Sequence, residues 1–337
     1  MAQYNTDVVI IGAGPVGLFA VFECGMLRIK SHIVDALDVA GGQCAALYPE
    51  KPIYDIPGYP VIEAGALIDK LRQQAAPFHP VFHVGQTVTG LRRGNDGRFL
   101  VETSAGTEIN AVAVVIAAGV GAFGPNRPPL PGIEAFENKS VFYFVKRRDD
   151  FIGKRVVIAG GGDSAVDWAL SLADIAKVSV VHRRAKFRAA PESAVKLQQL
   201  ADSGKIEMVV PYQLDGLEGV DGKLSSVIVK SLTGEFKRLP ADALLAFFGF
   251  AMNLGPIAEW GLNLENNRIA VDPSTCATNV PGLFAIGDIA SYSGKLKLIL
   301  SGFAEAALAA HAIYPLIHPD RELHFEYSTT TGVPGLT

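Results

Sequence analysis

The sequence predicts an α/β protein with two Rossmann-like, three-layer dinucleotide-binding domains, the first of them discontinuous along the chain. A strand, a glycine-rich turn and a helix follow one another near the N-terminus, and the same pattern recurs near the middle of the 337 residues. A strand-like segment ending in Gly-Asp then precedes a long alanine-rich helix close to the C-terminus. These observations indicate a chain that leaves one nucleotide-binding domain, builds a second and returns to the first.

The composition is that of a globular protein large enough for two domains. Hydrophobic residues make up 49% of the chain, and the mean hydropathy is +0.26. Thirty basic and thirty-four acidic residues give a net charge of −4, which offers no footprint for nucleic acid or for an anionic membrane. The longest apolar stretch, 296–317, contains Lys297, Glu305 and His311, so it predicts a buried helix and not a membrane span.

The cysteine content is typical of a protein from a reducing compartment. Cys24, Cys44 and Cys276 form no C-x-x-C pair and show no metal-ligand spacing, so no metal site is expected. The residues before the first strand lack a basic region followed by an apolar one. We therefore expect a cytoplasmic protein without a cleaved signal peptide.

The first fingerprint begins directly after Val8–Ile11, four apolar β-branched residues that predict a buried parallel strand. Gly12 allows the tight turn, Gly14 lets a pyrophosphate approach the backbone, and Gly17 allows helix and strand to pack closely. The next strand, 31–34, ends at Asp35, where a carboxylate accepts the ribose hydroxyls of an adenine dinucleotide. A glycine-rich turn with an unrelated Asp is the weaker alternative.

The segment 41–60 combines Gly41-Gly42-Gln43 with several Pro and Tyr residues. Each Pro fixes φ, so the segment predicts an ordered loop. It is either a binding loop in which a Tyr ring covers a flat ligand or a tyrosine-rich surface loop. A helix over 64–76, short strands at 81–84, 87–91 and 99–103, and a buried strand within 111–119 follow, and 121–131 predicts a domain boundary.

The second fingerprint follows a strand at 154–159 and has the form G-x-G-x-x-A, with Gly160, Gly162, Asp163, Ser164 and Ala165. The strand after its helix, 178–181, ends in His182-Arg183-Arg184 instead of an acid. An arginine pair binds a 2′-phosphate that a carboxylate would repel, so this site is predicted to prefer NADP, with Arg188 adding to the same pocket. The alternative is a solvated patch of arginines.

The remainder of the chain closes both domains. A helix through Leu200, two or three strands within 206–230 and an apolar strand in 243–250 are predicted for the second domain. The segment 282–288 predicts a strand that ends in Gly287-Asp288, and a helix is predicted from about 298 to 317.

This arrangement resembles the two-domain flavoprotein disulfide-reductase superfamily, and within it the thioredoxin-reductase-like (type 2) ferredoxin–NADP⁺ reductases. The motifs that carry the resemblance are the two fingerprints, the Gly-Gly-Gln segment with Tyr48, Gly287-Asp288-Ile289 and the tail 324–332. The resemblance implies an FAD domain formed by 1–119 and 249–337 and an NADP domain formed by 120–248. It also implies a homodimer.

The resemblance further implies a set of cofactor contacts. Asp35 would bind the adenosine ribose, Gln43 the flavin region and Asp288 the ribityl chain, while Tyr48 and Tyr327 would stack on opposite faces of the flavin. The FAD contacts implied or predicted are Gly12, Gly14, Pro15, Gly17, Asp35, Gln43, Tyr48, Val88, Phe123, Asp288 and Thr329. The NADP contacts are Gly160, Gly162, Asp163, Ser164, Ala165, His182, Arg183, Arg184 and Arg188.

The absence of a dithiol decides which activity the resemblance implies. Thioredoxin reductases of this layout carry C-x-x-C just before the second fingerprint strand, where this chain has 142–150 without cysteine. The expected activity is hydride transfer from NADPH to FAD, followed by single-electron transfer to ferredoxin or flavodoxin, with the physiological direction open. The alternatives are an NADPH oxidase or quinone or small-molecule reductase, and a non-catalytic flavin redox sensor.

An acidic partner protein requires a basic docking patch. The sequence offers two groups of basic residues for it: Lys146, Arg147, Arg148, Lys154 and Arg155, and the pair Lys295 and Lys297. Solvated surface charge is the plainer interpretation of both.

Overall fold

The computed structural model describes residues 2–324 and 327–333, without the side chains of 122–125, 250–252, 328 and 331. The chain forms two compact units. Unit 1 comprises Met1–Phe123 and Met252–Thr337, and unit 2 comprises Gly124–Ala251. Unit 2 begins four residues later and ends three residues later than the predicted domain 120–248.

The centre of unit 1 is a sheet of five parallel strands, and its residues alternate between two apolar layers. Val8 and Ile10 belong to the cluster that includes the helices, whereas Val9 and Ile11 belong to the cluster on the opposite face. Because both faces are covered, the strand is apolar at every position. In order across the sheet, the strands are Leu283–Ala285, Ala113–Ile116, Val8–Ile11, Ser31–Val34 and Val81–His83.

Three helices cover one face of this sheet: Pro15–Met26, Ala64–Ala75 and Ile299–Ile317. By length and composition alone, Ile299–Ile317 is long and apolar enough to cross a membrane. Its Gly302, Ala306, Ala309, Ala310 and Ile313 are nevertheless buried, and its alanines and Ile313 pack in the cluster that contains Val8 and Ile10. The structure thus confirms a helix with one face in the protein core. Two shorter helices span Gly42–Ala46 and Ser328–Thr331.

The other face of the sheet is covered by β-structure. Phe99, Val101 and Ile109 of a four-stranded sheet pack in the cluster that contains Val9 and Ile11. That sheet has the order Gln3–Asn5, Glu108–Ala111, Phe99–Thr103 and Val88–Arg93. A two-stranded sheet pairs Pro52–Ile53 with Ile62–Glu63. In a three-stranded sheet, Arg268–Ala270 lies between Leu264–Glu265 and Ala290–Ser291. The predicted loop 41–60 thus contains a short helix and a strand.

Unit 2 repeats the architecture on a smaller scale. Its five parallel strands have the order Val141–Phe142, Ala243–Ala246, Arg155–Ala159, Lys177–Val181 and Ile206–Val209. Val157 and Ala159 pack against a three-stranded antiparallel sheet, and the helices of the unit contact the strands. The antiparallel strands are Tyr212–Val220, Lys223–Ser231 and Phe236–Pro240, and the helices are Asp163–Leu172 and Pro191–Asp202. Ala122–Pro125 and Phe250–Asn253, also strands, lie where the chain passes between the units.

Candidate functional site

Unit 1 contains a cavity of about 560 Å³ at the carboxyl ends of the central strands. This is where parallel α/β sheets bind ligands. The structure brings together at its wall most of the residues predicted to hold a flavin dinucleotide: Gly12, Gly14, Pro15, Asp35, Gln43, Tyr48, Val88 and Asp288. They come from five separate segments of the sequence.

Each glycine of the first fingerprint is required for a different geometric reason. Gly12 has φ +107°, and a Cβ there would lie 2.4 Å from the carbonyl oxygen of Ala117. A Cβ on Gly17 would lie 1.9 Å from the oxygen of Gly12, so Gly17 allows the helix to approach the strand. A Cβ on Gly14 would meet no protein atom within 4 Å. Gly14 therefore leaves open space at the cavity wall, as a bound pyrophosphate requires.

The helix Pro15–Met26 presents its N-terminus to this space. Gly14 is its N-cap, and no side chain caps it. Pro15 occupies the first helical turn, where its missing N–H costs no helical hydrogen bond. The uncapped N–H groups that follow suit an anionic ligand.

Asp35 is 9% exposed and tied to the first fingerprint through both carboxylate oxygens. Oδ2 accepts the N–H of Ala13 at 2.6 Å, and Oδ1 accepts the N–H of Leu37 at 2.8 Å. Burial raises the pKa of Asp35, while the hydrogen bonds from Leu37 and Ala13 act in the opposite direction. Each oxygen keeps a lone pair for a further donor, so the carboxylate is placed to accept ribose hydroxyls.

The Gly-Gly-Gln segment is joined to the first fingerprint by the N–H of Gly41, which donates to the oxygen of Ala13 at 2.8 Å. It leads into the helix Gly42–Ala46 and to Tyr48, a half-buried residue at the cavity wall. Burial is the main cause that raises the pKa of Tyr48. Tyr48 thus presents a neutral ring to the cavity.

Three predicted contacts of unit 1 lie elsewhere. Gly17 is a packing residue and does not line the cavity. Tyr327 and Thr329 are exposed and are not among its lining residues; the Tyr327 side chain is 69% exposed. The side chain of Phe123 lies outside the described residues.

The cavity is also lined by residues that the sequence interpretation missed. They include Leu254–Ile257, which run into a 3₁₀ turn, the pair Gln86-Thr87, and Lys297–Ile299. The Leu-Gly-Pro sequence at 254–256 is a turn signal directly after the chain returns to unit 1, and that position would have indicated it. Lys297–Ile299 lie at the start of a helix, the element end that binds anionic groups.

In unit 2, the second fingerprint repeats the geometry of the first. Gly160 has φ +156°, and a Cβ there would lie 2.7 Å from the oxygen of Phe247. Gly162 caps the helix Asp163–Leu172, again without a side-chain cap. Ala165 is fully buried, whereas Asp163 and Ser164 are exposed at the first turn of the helix. This N-terminus is therefore also open to an anionic ligand.

The arginine loop, His182–Ala190, is attached to the second fingerprint at three points. The N–H of Arg188 donates to the oxygen of Gly161 at 2.6 Å, and the N–H of Ala190 donates to Oδ1 of Asp163 at 2.8 Å. A Cβ on Gly161 would lie 2.1 Å from the ring of His182, so that ring lies directly against the fingerprint. Asp163, predicted as a ligand contact, thus holds the loop through its carboxylate.

The charge of the arginine loop comes from the exposed residues Lys186, Arg183, Arg184 and Arg188, the last three of which are arginines. Burial lowers the pKa of His182, and these three arginines lower it further, against an opposing hydrogen bond at Lys186. Burial and the neighbouring positive charge thus both favour the neutral imidazole. The arginines carry permanent charge that can pair with a 2′-phosphate.

The structure corrects one of the basic residues considered for docking and gives partners for two others. Lys295 is buried against Glu305 and is unsuitable for a surface patch. Arg148 donates through Nε to the oxygen of Ser171 at 2.8 Å, and Arg155 pairs with Asp242. Lys146, Arg147, Lys154 and Arg155 are exposed, and Lys297 lies at the cavity wall.

All three cysteines are free and buried. Burial raises the pKa of Cys24 and Cys276 to about 12 and that of Cys44 to about 11. They are therefore protonated thiols at neutral pH, and none has a second cysteine as a partner. Among the described residues, no group of three or more His, Cys, Asp and Glu side chains is arranged to hold a metal ion.

Comparisons with known proteins agree with this geometry. Residues 6–312 match the model of the family described as pyridine nucleotide-disulphide oxidoreductase. The ferredoxin–NADP reductase of Paramagnetospirillum magneticum is 63% identical over 335 residues, 99% of each chain. That of Granulibacter bethesdensis is 64% identical over 98% of this chain and 95% of its own.

Solved structures of thioredoxin reductases share the fold. That of Lactococcus lactis has a TM-score of 0.80 at 27% identity, covering 93% of this chain and 99% of its own. The reductase of T. acidophilum has a TM-score of 0.80 at 26% identity, covering 92% and 98%.

Proposed function

The chain belongs to the pyridine nucleotide-disulphide oxidoreductase family, and we propose that it transfers electrons between NADPH and ferredoxin or flavodoxin through FAD. The observation that carries the proposal is the combination of two nucleotide fingerprints with three buried, unpaired thiols. Because no dithiol stands between the nucleotides and an acceptor, the acceptor would have to receive its electrons from bound FAD itself. The names of the relatives at 63% and 64% identity support the choice of acceptor.

FAD fits the cavity of unit 1 on three counts. Gly14 has no side chain, so the space beside its backbone is open to a ligand, and the adjacent helix N-terminus has no side-chain cap. Each oxygen of the Asp35 carboxylate can accept a further hydrogen bond. When bound, FAD supplies the chemistry of accepting a hydride and releasing electrons one at a time. The protein supplies binding, orientation and exclusion of water.

The predicted contacts at the cavity wall have the following roles in this proposal. Asp35 binds the adenosine ribose, Gly12, Gly14 and Pro15 the pyrophosphate, and Asp288 the ribityl chain. Gln43 and Val88 contact the flavin and adenine regions, and the Tyr48 ring covers one face of the isoalloxazine. Tyr48 binds and orients the flavin without proton transfer, since its pKa lies far above neutrality.

The tail contributes the remaining contacts of the proposal. Tyr327 covers the other flavin face, and Thr329 and Phe123 contact its edge. Tyr327 then has to move when the nicotinamide approaches. Unchanged affinity and turnover with NADPH in Tyr327→Ala would contradict this gating role.

NADPH binds at the second fingerprint in this proposal. Its pyrophosphate lies at the N-terminus of Asp163–Leu172, near Gly160, Gly162 and Ser164, with Ala165 allowing close packing. Its 2′-phosphate is bound by Arg183, Arg184 and Arg188. His182 packs against the fingerprint at Gly161 and shapes this pocket.

The partner protein docks on positive charge. Lys146 and Arg147 are exposed, and Lys297 combines exposure with a place at the cavity wall. The double change Lys146→Glu and Arg147→Glu should raise the KM for ferredoxin and flatten its dependence on salt. Lys70→Glu, an exposed lysine elsewhere, is the control. An unchanged salt dependence in the double variant would remove this patch from the proposal.

The decisive experiment is NADPH-driven reduction of cytochrome c by the purified flavoprotein, with and without ferredoxin. A large ferredoxin-dependent rate, with NADH a much poorer donor, is expected. A rate indifferent to ferredoxin, with steady NADPH consumption in air, favours an oxidase or a quinone or small-molecule reductase. Very slow flavin reduction by NADPH favours a redox sensor.

A homodimer in the cytoplasm completes the proposal. Light scattering coupled to size-exclusion chromatography measures the mass directly. A mass near 36 kDa, that of one chain, would contradict the dimer.

A further inference from the structure

The C-terminal helix Ile299–Ile317 carries a carboxylate into the core of unit 1. Glu305 is 2% exposed and, with Asp35, is one of two buried acidic residues in the described part of the chain. Asp35 lines the cavity, whereas Glu305 does not. A charge taken out of water is costly unless it is paired and hydrogen-bonded, so the partners of Glu305 are informative.

The partners of Glu305 all come from one stretch of chain, the connecting segment Gly287–Leu298. Oε2 accepts the N–H of Gly287 at 2.7 Å. Oε1 accepts the hydroxyl of Tyr292 at 2.7 Å and pairs with Nζ of Lys295. The Lys295 and Glu305 side chains are only 8% and 3% exposed, so solvent screens this ion pair little.

The connecting segment contributes to the cavity at both of its ends. Gly287 and Asp288 line the cavity at its start, and Lys297 and Leu298 line it at its end, next to Ile299 of the helix. Glu305 holds the segment at Gly287, within the first of these groups, and at Tyr292 and Lys295, between the two groups. The three bonds therefore define the path of the chain from Asp288 to the beginning of the helix.

The helix itself is fixed against the first fingerprint helix. A Cβ on Gly302, one turn before Glu305, would lie 2.3 Å from Cγ2 of Val16. Val16 also lines the cavity. Glu305 therefore joins the connecting segment to a helix that has little freedom to move relative to the first fingerprint.

We propose that Glu305 is a positioning residue for bound FAD: it fixes the connecting segment so that Asp288 and residues 297–299 meet the cofactor in one arrangement. The proposal rests on the proposed function only in taking FAD as the ligand of the cavity. Glu305 acts through these residues and does not itself contact the cofactor. Lys295 compensates its charge, and Tyr292 orients the carboxylate.

The Glu305–Lys295 ion pair is better suited to fixing the conformation of the connecting segment than to stabilising the fold alone. Buried ion pairs contribute little net stability compared with apolar residues of similar volume, but loss of one partner leaves an uncompensated charge. A network of three donors on one carboxylate also selects a single conformation of the segment that supplies them. Pre-organised cofactor contacts bind more tightly because less ordering accompanies binding.

The test is equilibrium binding of FAD to apoprotein, together with the Tm of the apoprotein. Glu305→Gln keeps the shape but places an amide opposite Tyr292 and Lys295, and its FAD Kd should rise at least tenfold. Lys295→Met should weaken FAD binding similarly, whereas Lys295→Arg should restore most of it. Glu23→Gln, a half-buried glutamate on Pro15–Met26, is the matched control and should bind FAD as the wild type does.

A role in stability alone gives a different result. It lowers the Tm of the Glu305→Gln apoprotein while the folded fraction binds FAD with the wild-type Kd, and that outcome overturns the proposal. So does an equal loss of affinity in Glu23→Gln. If Glu305→Gln does not fold, Tyr292→Phe provides the same comparison, because it removes one donor and keeps the ring; a Kd unchanged within twofold would then reject the proposal.

Failure of the proposed function has its own signature. If the wild-type apoprotein does not bind FAD, the proposed function is wrong, and with it the ligand assumed here. If the wild type binds FAD and Glu305→Gln binds it equally well, only the positioning role fails. The absorption band and circular dichroism of bound flavin provide a further readout, since a displaced connecting segment changes the surroundings of the ring.

Discussion

Two glycines of the first fingerprint separate packing from ligand binding at the scale of single atoms. A Cβ on Gly17 would lie 1.9 Å from the oxygen of Gly12, whereas a Cβ on Gly14 would meet only open space. Gly17→Ala should therefore destabilise the apoprotein by about 1–3 kcal/mol. Gly14→Ala should leave the apoprotein Tm unchanged or slightly raised, because Gly14 has φ −68°, and should weaken FAD binding.

Each glycine variant serves as the control for the other, with Tm of the apoprotein and FAD affinity measured on both. A Gly14→Ala protein that binds FAD normally would show that no pyrophosphate approaches this backbone. A Gly17→Ala apoprotein with the wild-type Tm would show that helix and strand separate without cost.

The arginine pair makes the preference for NADPH measurable. A charge-assisted hydrogen bond contributes about 1.5–3 kcal/mol, or roughly ten- to a hundredfold in affinity. Arg183→Ala and Arg184→Ala should each lower kcat/KM for NADPH by about that factor and leave NADH kinetics unchanged. Lys186→Ala is the control, since Lys186 is exposed in the same loop. Equal losses with both nucleotides would assign the arginines a role other than 2′-phosphate binding.

The placement of a single residue could be predicted where its position in the sequence already determines which residues it contacts. Asp35 follows its strand directly, and the carboxylate reaches the first fingerprint because parallel strands end at the same edge. Lys295 was considered for a surface docking patch because it is a basic residue close to Lys297 in the sequence. Its burial depends on Glu305, which lies six residues inside the next helix, and on the path of the connecting segment. No local sequence pattern encodes either.

At the scale of elements, the strands Ser31–Val34 and Val81–His83 are joined by a buried pair of histidines. Nδ1 of His32 and Nε2 of His83 lie 3.0 Å apart. The ring of Tyr4 makes a T-shaped contact with each of the two imidazole rings. Burial lowers the pKa of His32 to about 4, with the charge of His83 adding to the effect, and burial lowers the pKa of His83. These strands end at Asp35 and at the loop that leads to Val88.

The histidine pair predicts a loss of stability in acid. Because the folded-state pKa lies below the unfolded value of 6.5, the unfolded chain binds more protons as the pH falls. The contribution is complete above pH 6.5 and declines towards pH 4, by about 1.4 kcal/mol per pH unit for each histidine that stays neutral. Tm measured from pH 7 to 4 should fall less steeply in His32→Leu/His83→Leu. Parallel curves would contradict the assignment.

The regular elements followed from local pattern, and the irregular ones did not. Val8–Ile11 and its helix were predicted because apolar β-branched residues, glycine spacing and Pro15 all favour the same local structure. The helix Gly42–Ala46 was predicted as loop, since five residues with Gly at the start give no helical period. It forms because Gly41 bonds to Ala13, a contact between distant parts of the sequence.

At the scale of the whole molecule, the repeated pattern becomes two units with separate apolar cores. Unit 1 has one apolar cluster on each face of its central sheet, and unit 2 has its own cluster around Val157, Leu244 and Val229. The sequence indicated both sheets because each fingerprint defines one. It did not indicate which small β-sheet covers which face, because these antiparallel strands carry no ligand motif.

Separate cores predict separate unfolding transitions. Differential scanning calorimetry of the apoprotein should show two transitions, one for each unit, because each buries its own apolar surface. A ligand stabilises only the unit that binds it, by about 2.7 kcal/mol at a free concentration one hundred times its Kd. FAD should therefore raise the Tm of one transition and NADP⁺ that of the other. Arg183→Ala provides the control, since it should reduce the shift with NADP⁺ and leave the shift with FAD intact. A single transition whose Tm rises with both ligands would contradict this prediction. It would show that the two units unfold as one cooperative body despite their separate apolar clusters.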